Sequence, residues 1–123
     1  MTRKLALTAG ALALIATPLL TATSASATTS WVRQTISAGG CVAEQTILEG
    51  YNNSSHEYQQ GVLTSTGGHV CEVAIIQFIN GYEGTVSAFS RSVTPVYYDG
   101  PTYQDMVVLE DRTTGASINS SLY

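Results

Sequence analysis

Two histidines, two cysteines and nine carboxylates are the side chains best suited to chemistry in this 123-residue chain. A serine hydrolase needs a hydroxyl beside a base such as histidine. Serines abound, but the two histidines are His56, beside the polar run Asn52-Asn53-Ser54-Ser55, and His69, just after Gly67-Gly68. No G-x-S-x-G elbow is present. Both histidines therefore read as surface residues. Metal centres need ligands at recurrent spacing. His56-Glu57 stands alone, Asp99 and Asp105 are not spaced like a calcium loop, and Glu110-Asp111 reads as a solvated strand end. Asp99 is expected to serve its Asp-Gly turn. Paired carboxylates can hydrolyse glycosides, but so short a chain has little depth for a sugar cleft. The expectation is a protein with no catalytic residue, no metal site and no cofactor.

The cysteines, Cys41 and Cys71, lack the C-x-x-C spacing of a redox centre. An even count in an exported chain predicts one structural disulfide. Closing a loop of about thirty residues is worth about 3–4 kcal/mol in the chain-entropy description.

Aromatic side chains offer a different function. Tyr97, Tyr98 and Tyr103 flank the turn Asp99-Gly100-Pro101. Tyrosines at turns bring contact area at low entropic cost and are enriched in binding patches. They suit a protein surface or a glycan, and the competing reading is cross-strand pairs that stabilise a hairpin. An N-terminal arm, Thr28 to Ser37, precedes the glycine pair Gly39-Gly40. Its alternation places Val32 and Ile36 on one side, Arg33 and Thr35 on the other. Such an arm either pairs within its own sheet or adds a strand to a partner, with Trp31 as the anchor.

The N-terminus sets the compartment. Arg3-Lys4, the apolar Leu5–Leu20 stretch and Ala25-Ser26-Ala27 form the pattern of a secretory leader cleaved between Ala27 and Thr28. Removing residues 1–27 leaves 96, enough for one small domain. That chain keeps Arg33, Arg91 and Arg112, no lysine and all nine acids, a formal charge of −6. Clustered cations are missing, which argues against nucleic acid and against an anionic membrane surface. A basic or neutral partner fits better.

The elements that position these residues read as strands. Period-two alternation and Gly or Asn-Gly turns recur, and no stretch holds helical spacing for three turns. Strands are expected at Trp31–Ser37, Cys41–Glu49, Tyr58–Ser65, His69–Ile79, Tyr82–Val93, Val96–Tyr98, Tyr103–Asp111 and Ala116–Tyr123. His69–Ile79 is apolar on both faces and is placed centrally. Asn80-Gly81 predicts a tight hairpin, Gly84 a bulge, and Pro95 an edge position for Val96–Tyr98. The fold class is all-β: a two-sheet antiparallel sandwich of seven or eight strands with one disulfide. Three segments follow: a leader over 1–27, an arm with a glycine hinge over 28–40, and a sandwich body over 41–123.

The architecture resembles an immunoglobulin-like sandwich in outline. No tryptophan lies between the cysteines and His69 stands where that family has tyrosine, so no functional residue carries over. The Ala-rich leader is similar to those of secreted actinobacterial proteins. The length after its removal, the single Cys41/Cys71 pair and the arm Thr28–Ser37 together resemble the small adaptor subunit of umbrella-shaped antibacterial toxin particles. That resemblance implies an N-terminal segment that docks a lectin-like partner and a body that binds a large toxin chain. Secreted protease or amylase inhibitors resemble the chain less, since they usually carry two disulfides. In that reading Ser92–Tyr98, stiffened by Pro95, would be the reactive loop. The expected function is an extracellular, non-enzymatic binding module, an adaptor in a secreted assembly. Its partner-binding residues would be Trp31, Val32, Ile36, Tyr97, Tyr98 and Tyr103. An inhibitor or a carbohydrate-binding module is the alternative.

Overall fold

The computed structural model describes residues 28–123. The leader expected over 1–27, with its Ala27 cleavage position, lies outside them. Strands are the dominant regular structure of the described residues. β1 (Thr29–Ala38), β2 (Cys41–Glu49) and β3 (Glu57–Ser65) are followed by β4 (Cys71–Ile79) and β5 (Tyr82–Val86), with β6 (Tyr97–Asp99), β7 (Tyr103–Asp111) and β8 (Ser117–Asn119) completing the chain. A 3-10 turn covers Tyr51–Asn53. All pairings are antiparallel and build two four-stranded sheets, β1-β2-β3-β6 and β5-β4-β7-β8.

The sheets bury their facing sides against each other. Cys41, Ala43 and Ile47 of β2 alternate inward, as do Val73 and Ile75 of β4 and Val107 and Leu109 of β7, all 0–2% exposed with Cys71. Each fully buried Val, Leu or Ile contributes about 1.5–3 kcal/mol of transfer free energy. Gly61 lets the sheets close: a Cβ there would meet Val107 at 2.9 Å and Val73 at 3.0 Å. The expected disulfide joins Cys41 to Cys71, Cα to Cα 5.8 Å, and so bolts β2 of one sheet to β4 of the other.

Local turn chemistry explains the hairpins. Asn80 (φ 54°) and Gly81 (φ 85°) both take the left-handed conformation that a two-residue hairpin needs. Gly84 is the extra residue between Glu83 and Thr85 where the β4–β5 register slips, so it is a bulge. β6 is an edge strand, in keeping with Pro95 just before it.

Four expectations need correction. The strand expected over Tyr82–Val93 stops at Val86. The chain then changes sheets: Ser90 still pairs with Val73 of β4, but Val93 pairs with Val62 of β3. The backbone bonds of one long run are thus shared between two sheets.

Gly39-Gly40 is not a hinge. It is the tight turn of the β1–β2 hairpin, with Ala38 opposite Cys41. The Gly40 N–H donates to Asp111 Oδ2 at 2.8 Å, and a Cβ on Gly39 would collide with the same carboxylate. The arm over 28–40 is therefore part of the sandwich.

Val32 and Ile36 do not share a face. A bulge at Arg33 shifts the β1–β2 register, putting Val32 opposite Thr46 and Ile36 opposite the inward Ala43. Ile36 is 3% exposed and belongs to the core.

Asp111 is not a solvated strand end. It is fully buried, and His69, half-buried, sits 2.6 Å from it.

Candidate functional site: an aromatic cleft at one end of the sandwich

At one end of the sandwich the β4–β5 hairpin tip faces the turn between β6 and β7. The Asn80 N–H donates to the Thr102 carbonyl at 2.8 Å, and the Tyr103 N–H closes the turn on the Gly100 carbonyl at 3.0 Å. Between them opens a cleft of about 350 Å³, whose walls include Asn80, Asp99, Tyr103, Gln104 and Tyr123. Tyr123 is held there by reciprocal backbone bonds with Asp105, 3.1 Å each.

The predicted tyrosines separate. Tyr98 lies directly opposite Tyr58 in the β3–β6 pairing. Their rings meet edge to face, 5.4 Å between centroids, and Tyr103 and His56 add further edge-on contacts to Tyr98 at 5.1 and 5.8 Å. Tyr51 continues the cluster onto Tyr58 at 5.0 Å. These rings spend much of their surface on one another, which is the cross-strand role weighed against recognition. Tyr97 stands apart, half-buried and in register with the inward Gln59.

The arm reaches the same end. Trp31 is 39% exposed. Its Nε1 donates to Glu49 at 2.7 Å, and its ring meets Tyr123 edge-on at 6.1 Å. Arg33 lies over the Tyr123 ring, 4.5 Å from the centroid. Tyr123 thus joins Trp31 to the cleft that Tyr103 lines, so two residues singled out separately share one surface. Val32 is exposed nearby in sequence but on the outer face of the sheet.

Behind the cleft lies a polar network that composition did not reveal. Gln45 and Gln59 are fully buried between the sheets, and Gln45 Nε2 donates to Gln59 Oε1 at 2.8 Å. Gln59 Nε2 in turn donates to Asp99 Oδ2 at 3.0 Å and to the Tyr123 carbonyl at 2.7 Å. The Asp99 side chain therefore answers Gln59 rather than its own turn. Burial pushes the Asp99 carboxyl up to about 6, against the Gln59 bond and helped by the charge of Glu57. Asp105, fully buried, is pushed up to about 8 by burial and by the charge of Asp99. The Tyr123 hydroxyl is also raised, by burial and by a hydrogen bond to Glu57. A signal for this network was present: Asp105, Val107, Leu109 and Asp111 occupy one phase of β7, and Gln45 shares a phase with Cys41, Ala43 and Ile47. A polar residue in an inward phase marks a buried polar site.

At the opposite end, Asp111 Oδ2 accepts from Gly40 N–H and His69 Nδ1, and Oδ1 accepts from the Thr113 and Thr114 N–H groups at 2.9 and 3.1 Å. Burial opposes ionisation, but these donors hold the carboxyl well below the usual range. His69 here bonds an aspartate already committed to backbone, not a serine. Among the described residues no group of three or more His, Cys, Asp or Glu is placed to hold a metal ion.

The supposed inhibitor loop is not free. The Leu63 N–H donates to the Ser92 carbonyl at 2.8 Å and the Thr94 N–H to the Gly61 carbonyl at 2.9 Å, laying Ser92–Thr94 along β3. No family model matches this chain, and no curated protein or solved structure matches it.

Proposed function

We propose that the protein is an extracellular, non-enzymatic protein-binding module that serves as an adaptor in a secreted assembly. Its docking surface is the end of the sandwich where Trp31, Tyr123 and the cleft meet, together with the open edge of β1. The observation that carries this reading is the 39% exposed Trp31 ring set against Tyr123 at the cleft wall. Tryptophan is among the side chains most enriched at interface hot spots, and this one is exposed while held in place by the Glu49 hydrogen bond and the Tyr123 edge contact. β1 supports it: it pairs only with β2, so its other edge offers backbone groups for strand addition. The toxin-adaptor assembly, with a lectin-like partner and a large toxin chain, is the specific form of this proposal.

Export and oxidation fit the location, since the Cys41–Cys71 bridge belongs to an oxidising compartment. No helix of the described residues is long and apolar enough to cross a membrane. The inhibitor reading is weaker, because Ser92–Thr94 is bonded along β3 rather than projecting. A glycan reading is weaker too, since Tyr98 and Tyr103 already pack on each other.

Size-exclusion chromatography of the native secreted form tests the proposal. Co-elution with larger proteins, lost on Trp31→Ala while the fold is retained, is the expected result. A lone species of about 10 kDa by mass, unchanged by that substitution, would sink it.

A further inference from the structure

β4 is apolar on both faces, but the sandwich covers only one of them. Cys71, Val73 and Ile75 turn inward. Ala74, Ile76 and Phe78 alternate to the outer side, where the β4–β7 register sets Val108 beside Ala74 and Met106 beside Ile76. Val86 of β5 stands opposite Ile76 on that side and is 50% exposed, and Phe89, 40% exposed, follows along the same edge. The outer side of the other sheet differs. Glu44 and Thr46 of β2 alternate outward there, with Gln60 of β3 opposite Thr46, the polar face that an antiparallel sheet turns to water. Every strand belongs to one of the two sheets, so no third sheet lies over the Ile76–Met106 face. A contiguous apolar patch of this kind marks an interaction surface.

The charges around the patch say what fits it. At one end Arg112 bridges Glu72 and Glu110, at 3.1 and 3.2 Å. Arg91 stands at the same end on the β5 side, 3.7 Å from Glu72 and 72% exposed. With Glu72 already held by Arg112, the Arg91 guanidinium is free to turn outward. At the other end, also on the β5 side, Glu83 lies opposite Phe78 and is exposed. The face thus holds two of the three arginines in residues 28–123, and they offset Glu72 and Glu110 within a chain of formal charge −6. A basic protein finds little net negative charge here to attract it. A second copy finds complementarity. A two-fold axis lying in the face and crossing the strands at the level of Ile75 reverses the strand direction and keeps the β5 side over the β5 side. It sets Ala74 against Ile76 of the other copy and Arg91 against its Glu83, each contact being made twice.

We propose that the outer face of the β5-β4-β7-β8 sheet pairs with the same face of a second copy of this chain. The two sheets would stack as the two sheets of a sandwich do, with strands near alignment. Four strands about 4.8 Å apart and the span from Glu72 to Phe78 at about 3.4 Å per residue give a face of about 450 Å² per copy. Two such faces total about 900 Å², below the roughly 1,200–2,000 Å² of stable complexes, so the dimer is weak and reversible. This surface lies outside the Trp31 docking end and does not depend on it.

Sedimentation equilibrium of the purified protein from about 5 μM to about 1 mM tests the proposal. The average mass should climb from that of one chain toward that of two. Ile76→Asp should abolish the climb. Should that variant fail to fold, Arg91→Glu, at an exposed position, should weaken the dimer at least about tenfold by setting like charges together, and adding Glu83→Arg should restore it. Trp31→Ala should leave the dimer as it was, which separates this result from the test of the docking end. A single-chain mass over the whole range would overturn the proposal and leave the face to a different protein. A dimer unchanged by Arg91→Glu, or one that Glu83→Arg does not rescue, would overturn it as well.

Discussion

His69 Nδ1 lies 2.6 Å from Asp111 Oδ2, and the carboxylate it meets is fully buried. An ionised carboxylate only accepts, so the imidazole Nδ1 carries the proton of this bond. The same Oδ2 takes the Gly40 N–H, and Oδ1 takes those of Thr113 and Thr114. One side chain at the end of β7 thereby ties down the β1–β2 turn of the opposite sheet. The disulfide lies at the same end, between the first residues of β2 and β4.

Acid should loosen this end. The Asp111 carboxyl is held below its ordinary value of 3.8 in the folded protein. A depressed folded value contributes stability above the unfolded value and loses it as pH falls through the folded one. Urea midpoints should therefore drop as pH is lowered below about 4. In Asp111→Asn the midpoint at neutral pH should be lower and this acid-side drop smaller. An unchanged acid limb in the variant would show that another group governs it.

Reduction should be costly. Cys41 and Cys71 close a loop with a sequence separation of 30. Breaking a native bridge in a domain this small costs about 2–5 kcal/mol. Urea unfolding with and without a thiol reductant measures it. Equal midpoints would mean that packing of Ile36, Val73 and Leu109 alone holds the sheets together.

The opposite pH sign is expected at the cleft. Asp105 is raised to about 8 and Asp99 to about 6, both from 3.8. Carboxyls with raised folded values contribute stability below the unfolded value and lose it as pH rises through the folded one. Stability should decline from about pH 4 toward pH 8. Asp105→Asn should flatten this decline and raise the midpoint at pH 8. A variant profile that still falls as steeply would place the titrating group elsewhere.

Local signals were legible where local physics decides. The double left-handed turn at Asn80-Gly81, the Gly84 bulge, the edge position after Pro95 and the apolar β4 all depend on neighbours in sequence. Asp111 was misread because its donors come from Gly40, His69 and the turn that follows it, and only the assembled sheets bring Gly40 across. The tyrosines were half legible. Their clustering around a turn was visible, but Tyr58 opposite Tyr98 rests on the non-local β3–β6 pairing. The Arg33 bulge has no glycine or proline to betray it, and one added residue reverses the faces of everything before it. That single slip divided the proposed contact residues, sending Ile36 to the core and leaving Trp31 beside Tyr123.

Ile36 and Trp31 should consequently behave as opposites under substitution. Ile36 packs in the core at 3% exposure, so Ile36→Ala should cost about 2–5 kcal/mol. Trp31 keeps one edge-on ring contact and one hydrogen bond to Glu49. Trp31→Ala should cost only about 1 kcal/mol, the worth of an aromatic pair. The binding readout should reverse this order: Trp31→Ala loses co-elution of the larger proteins, whereas Ile36→Val, a milder core change, keeps it. Removing residues 28–38 outright should unfold the protein, because it strips Ile36, Ala38 and a whole strand of backbone pairing from β2. A truncated protein that stayed folded would instead mean that β1 is a detachable arm, free to pair with a partner's sheet.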